Sequence, residues 1–145
     1  MKKASSEILL LDVNVLLALA WPNHQFFAKA RKRLASKNQQ WATCALTQLG
    51  FVRLSSMPAV VSAMCSPSAA ARMLEEMVED PGHVYLSEQP SPATITSFER
   101  VLGPGQVTDA YLLALARFHR VRFLTFDGRL SSLASVDTTI EVLEP

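Results

Sequence analysis

Ile8-Leu9-Leu10-Leu11-Asp12-Val13-Asn14-Val15-Leu16 is the stretch on which the fold turns. Its first four residues form an unbroken apolar run that stops at an acid. A buried helix segment would show the same run. Its shortness and its polar end favour a strand covered on both faces, as in a parallel sheet. From Asn14 the spacing changes to that of a helix, through Val15, Leu16 and Leu19, and Pro22 stops it. A second run of the same kind, Val121 to Phe126, ends at Asp127-Gly128 and predicts another buried strand.

The segments between alternate in type. Asn23 is placed to cap a helix from His24 to Ser36, with Phe26, Phe27, Ala30 and Leu34 as its apolar stripe. Lys29, Arg31, Lys32, Arg33 and Lys37 would form its wet face. Trp41 to Cys44 reads as a strand, and Leu46 to Leu54 as a helix stopping before Pro58. Ser66-Pro67-Ser68 opens a further helix carrying Ala70, Met73, Leu74, Met77 and Val78 on one face, ended by Pro81-Gly82. Val84 to Leu86 predicts an edge strand, and Ser91-Pro92 another helix start. Gly103-Pro104-Gly105 reads as a loop, Val107 to Phe118 as a helix, and Thr139 to Leu143 as a last strand. Strands alternating with helices predict an α/β architecture with a mainly parallel sheet.

Composition agrees with such a domain. The 145 residues are 49% hydrophobic and 19% charged, with a formal net charge of +1. That length buries a proper core, and a neutral balance is compatible with a groove that is basic only locally. Cys44 and Cys65 form no CxxC pair, which argues against a disulfide framework and a structural zinc. Lys2 and Lys3 precede an apolar stretch from Ile8 to Trp21, but Asp12 and Asn14 interrupt it, and it is too short and polar to span a bilayer. The expectation is a soluble cytoplasmic protein without membrane partners.

Ligands of open parallel sheets bind beyond the carboxyl ends of the strands. Asp12 and Asp127 stand at two such ends, and Asp109 lies in the first turn of the helix between them in sequence. Taken singly, each acid is better read as a cap or a helix-dipole partner. Jointly they can converge at one sheet edge, where three carboxylates repel unless a cation lies among them. An oxygen-liganded divalent ion meets that need. Mg²⁺ takes one or two carboxylates, keeps waters and binds phosphate, and such an ion activates water for attack on a phosphodiester.

Four blocks resemble those of PIN-domain toxins of the VapC type, in the right order over nearly the whole chain. They are Leu11-Asp12-Val13-Asn14-Val15-Leu16, the segment Thr43-Cys44-Ala45-Leu46-Thr47-Gln48-Leu49-Gly50-Phe51-Val52-Arg53, Val107-Thr108-Asp109-Ala110-Tyr111-Leu112 and Leu124-Thr125-Phe126-Asp127-Gly128. The resemblance implies a single domain over residues 1–145 with a three-layer α/β/α sandwich. It also implies Mg²⁺- or Mn²⁺-dependent endoribonuclease activity, a VapB-like antitoxin and a homodimer. Asp12, Asp109 and Asp127 match the family's acidic positions, and Asn14 the small polar residue that supports the first Asp. Gln48 falls where many members carry Glu. A neutral amide is no general base, although its carbonyl oxygen can hydrogen-bond or weakly ligate a metal.

Thr108 and Thr125 neighbour the acids and are candidates to support the metal or a water on it. Capping by Thr108 and strand propensity for Thr125 explain them equally well. Arg53 reads either as a phosphate contact or as a surface charge, and Trp21 and Trp41 as packing residues. The methionines around Met57, Met64, Met73 and Met77 read chiefly as core and secondarily as a groove for a partner helix. Two rival functions stand beside the nuclease. One is a catalytically weak RNA- or antitoxin-binding module, suggested by Gln48. The other is a phosphotransferase with Asp12 as nucleophile, disfavoured because Asn14 stands where such enzymes often carry a second acid.

Overall fold

The computed structural model describes residues 7–58, 60, 64–94, 97–135 and 137–144. Lys2 and Lys3 lie outside the described residues. The described residues form five strands, β1 (Ile8–Leu11), β2 (Gln40–Thr43), β3 (His83–Tyr85), β4 (Arg122–Thr125) and β5 (Ile140–Val142). They form one sheet in the order β3-β2-β1-β4-β5. Every pairing is parallel, with Leu9 opposite Trp41 on one side and Arg122 on the other. The expected mainly parallel sheet is thus wholly parallel among the described strands.

Among the described residues five α-helices connect it: α1 (Val13–Ala20), α2 (Phe27–Leu34), α3 (Ala45–Ser55), α4 (Pro67–Met77) and α5 (Val107–His119). Side-chain alternation along the central strands sends them to two faces. Leu10, Ala42 and Phe123 join Leu112, Leu115 and Ala116 of α5 in one apolar cluster. Leu9, Leu11, Trp41 and Leu124 join Leu16 of α1, Phe51 of α3 and Leu74 of α4 in the other. Helices on both faces of the sheet make the three-layer α/β/α sandwich.

Three local expectations are corrected. Phe26, not Asn23, occupies the N-cap of α2, because His24 Nδ1 accepts the Phe26 N–H at 3.0 Å and holds the chain in a turn. Ser91-Pro92 opens no α-helix in the described residues. Pro92–Thr94 and Ser97–Arg100 are 3₁₀ turns, and Ser91 bonds the first through its Oγ to the Ala93 N–H. Pro104–Gln106, within the expected loop, is a 3₁₀ turn leading straight into α5. The expected start of α4 holds: Ser66 Oγ accepts the Ala69 N–H there.

Part of the basic face of α2 is structural. Arg33 forks onto Glu141 of β5 with bonds of 2.6 and 2.8 Å, and that guanidinium holds the Glu141 carboxyl below the usual range. Trp41 is buried, and Trp21 Nε1 donates to Ser55 Oγ at 3.0 Å, so both tryptophans pack. Met73 and Met77 lie against the second apolar cluster, whereas Met64 is fully exposed.

Candidate metal centre

The carboxyl ends of β1 and β4 lie side by side where the strand order reverses direction, the point at which such sheets bind ligands. Asp12 follows β1 directly. Its N–H continues the sheet by donating to Leu124 O at 2.9 Å. Its Oδ1 accepts the Val13 N–H at 2.8 Å, capping α1. Its Oδ2 accepts the Thr125 hydroxyl at 2.6 Å. Thr125 is wholly buried, and the same Oγ1 accepts the Asp127 N–H at 3.0 Å. One hydroxyl therefore ties the two strand-end acids together, a use that strand propensity alone does not explain.

Asp12 is 8% exposed. Burial pushes its pKa up to about 6, against the pull of Thr125 and the Val13 N–H, and the charges of Asp109 and Asp127 add to the push. Asp109 is half-buried in the first turn of α5, and its carboxyl is likewise raised, by burial first and then by Asp127, with Arg129 opposing. The three acids share one field at one sheet edge. They do not close a cage: among the described residues, no three Asp, Glu, His or Cys side chains are gathered to enclose an ion.

Asp127 has partners of its own. Its carboxylate caps the 3₁₀ turn Gly128–Ser132 and is covered by Arg129. Arg129 Nε donates to Oδ1 and Nη2 to Oδ2, each at 3.0 Å, and the Arg129 N–H adds a third bond to Oδ1 at 3.0 Å. These bonds hold the Asp127 carboxyl below the ordinary range, the side-chain bonds foremost. Asp12 and Asp127 are thus caps as well as members of the acidic cluster.

The remaining candidates fall into three situations. Asn14, in the first turn of α1, has a buried Oδ1 without a hydrogen-bond partner among the described residues. Thr108 is exposed within the first turn of α5, whose N-cap is Gln106, so Thr108 does not cap that helix. Gln48 donates its amide to Thr43 Oγ1 at 2.9 Å, and Thr43 Oγ1 lies 2.7 Å from His83 Nε2. The amide is thereby anchored to β2 and β3. Burial lowers the His83 pKa, with Asp80 opposing. Arg53 is exposed on α3.

The sequence assigns Arg129, Thr43 and His83 no role at the site. Asp127-Gly128-Arg129 does carry a signal, since opposite charges flank a glycine at a turn. The Thr43–His83 contact joins residues forty positions apart and leaves no local trace.

A family model of the PIN domain matches residues 9–136. The chain belongs to the PIN-domain family. Relatives of this PIN domain include Ribonuclease VapC38 of Mycobacterium tuberculosis, 40% identical over 137 residues that cover 92% of this chain and 96% of that protein. Ribonuclease VapC44 of the same species is 41% identical over 128 residues, covering 86% and 89%. These relatives place the PIN domain among the VapC-type members. A crystal structure of VapBC2 from Rickettsia felis, bound to a DNA fragment from their promoter, shares the fold with a TM-score of 0.63 at 12% identity, covering 94% of this chain and 99% of that one.

The chemistry of the donors fits a hard divalent ion. All are oxygens, Asp12 and Asp109 are raised by burial first and then by neighbouring carboxylates, and Asn14 Oδ1 is a buried acceptor with no hydrogen-bond partner among the described residues. An open arrangement of this kind suits an ion that keeps several waters.

Proposed function

We propose that this PIN domain is a metal-dependent endoribonuclease and the toxin of a toxin–antitoxin pair. The observation that carries the reading is the pairing of Asp12 and Asp127 through Thr125 at the switch point of the sheet, within the field of Asp109. The names of the VapC relatives support RNA as the substrate.

Asp12 and Asp109 would hold Mg²⁺ or Mn²⁺, with Asp127 as a direct or water-mediated ligand and Asn14 in support. Such an ion lowers the pKa of a water and neutralises charge on a phosphodiester. The chain's own residues do the remaining work. Thr125 donates to Asp12 Oδ2 and fixes which carboxylate lone pairs face outward. The Val13 N–H and the N-terminus of α1 favour the charged carboxylate that burial disfavours. Thr108, exposed beside Asp109, is free to meet substrate or solvent. With this reading go a VapB-like antitoxin and a second copy of the chain as partners, and a cytoplasmic location. Leu49, Tyr85 and Phe118 stay exposed and supply apolar surface for such contacts. Among the described residues no helix is long and apolar enough to cross a membrane.

One observation favours a second reading, a catalytically weak binding module. Gln48 brings no charge to the site, and its amide is already engaged by Thr43. RNA cleavage by wild type, Asp12→Asn and Gln48→Glu with Mn²⁺ separates the two. The nuclease reading expects Asp12→Asn to lose about a hundredfold or more, since even support residues around a metal are worth about 10- to 100-fold. Equal cleavage by wild type and Asp12→Asn rejects it.

A further inference from the structure

Arg129 is bonded directly to the acidic cluster, and the capping of the turn does not require its guanidinium. The turn Gly128–Ser132 is capped by the Asp127 carboxylate through the Arg129 backbone N–H. The side chain adds a planar fork on the outer edge of the same carboxylate, with Nε on Oδ1 and Nη2 on Oδ2. The Arg129 side chain is 90% exposed, and its charge is felt at Asp109 as well as at Asp127. A fork–fork pair covers both carboxylate oxygens. An ion binding to Asp127 must therefore share its oxygens with Arg129 or displace it.

We propose that Arg129 is an internal counter-cation that competes with the divalent ion for Asp127 and, once displaced, binds a phosphate of the RNA. This rests on the metal-dependent nuclease reading above. Displacement costs little, because an exposed ion pair is weak and the side chain is free to swing. The released guanidinium stays within one side chain's length of the acidic edge, where a phosphate held by the ion would lie. Metal and RNA then help each other bind: the ion frees Arg129 for RNA, and RNA keeps Arg129 away from Asp127. Such coupling is reciprocal.

Calorimetric titration of the chelator-treated full chain with MnCl₂, in wild type, Arg129→Gln, Arg129→Lys and Asp12→Asn, tests the idea. A non-cleavable single-stranded RNA analogue is titrated in a second series with Mn²⁺ present. Removing the competitor in Arg129→Gln should tighten Mn²⁺ about two- to fivefold, the range spanned by exposed ion pairs. RNA binding with Mn²⁺ should weaken, and its salt slope should fall by about 0.7, one phosphate contact on a single strand. Arg129→Lys keeps the charge without the fork, and should lie between wild type and Arg129→Gln in Mn²⁺ affinity. Unchanged or weaker Mn²⁺ binding in Arg129→Gln overturns the competition, and an unchanged salt slope overturns the phosphate contact. If Mn²⁺ binds wild type and Asp12→Asn alike, the metal reading itself fails, and the proposal fails with it.

Discussion

Asp12 carries the largest electrostatic conflict of the acidic edge. Its carboxylate accepts two good hydrogen bonds, yet burial outweighs both and raises its pKa to about 6. Folding therefore strengthens its hold on a proton. The stability this confers is fully present below about pH 4 and is lost as pH rises through about 6. A shift of this size is worth about 3 kcal/mol. In chelator-treated protein, Asp12→Asn should raise stability by about 1–3 kcal/mol at pH 7.5, and the gain should vanish at pH 4. Urea unfolding across that range checks it, and a gain independent of pH would contradict the assigned cause. The sequence showed Asp12 as a candidate because an apolar run ended on it. It could not show the Thr125 hydroxyl bridging Asp12 to Asp127, since that contact spans over a hundred residues. Nor could it show Gln48 turned towards Thr43, which depends on how α3 docks on β2 and β3.

At the scale of elements, α1 and α3 meet closely beside the site. A Cβ on Gly50 of α3 would lie 2.7 Å from Val13 Cγ2 and 3.3 Å from Val13 Cγ1. Val13 is β-branched and stiff at χ1, and it directly follows Asp12. Gly50→Ala gains helix propensity of about 1 kcal/mol, but the overlap should cost more, about 1–3 kcal/mol. The expected net effect is a loss of about 1–2 kcal/mol, with weaker Mn²⁺ binding because Val13 moves the capping N–H of Asp12. Thermal melts with and without Mn²⁺ measure both, and a Gly50→Ala protein as stable as wild type would show that Val13 yields freely. Elements with strong periodicity were legible at this scale: β1, β4 and α5 fall within a residue or two of their expected bounds. The start of α2 and the segment after Ser91 were not. There, short-range side-chain bonds from His24 and Ser91 set the backbone, and periodicity does not report them.

For the molecule as a whole, topology does what no single residue can. A parallel sheet in the order β3-β2-β1-β4-β5 puts β1 beside β4, although more than a hundred residues separate them. The crossover through α5 returns the chain to the far side of β1 and brings the first turn of α5, with Asp109, to the edge where Asp12 and Asp127 end their strands. Two buried runs each ending in Asp announced that the acids converge at one sheet edge, while the strand order comes from the fold itself. The Arg129 fork on Asp127 was signalled only by the opposite charges flanking Gly128. Whether these acids hold the ion that drives RNA cleavage is read from the rate of cleavage against Mn²⁺ concentration for wild type and Asp109→Asn. The prediction is a saturable dependence on Mn²⁺, with the midpoint moved upward by about tenfold or more in Asp109→Asn. Cleavage that persists undiminished in excess chelator, or a midpoint unchanged by Asp109→Asn, would contradict it.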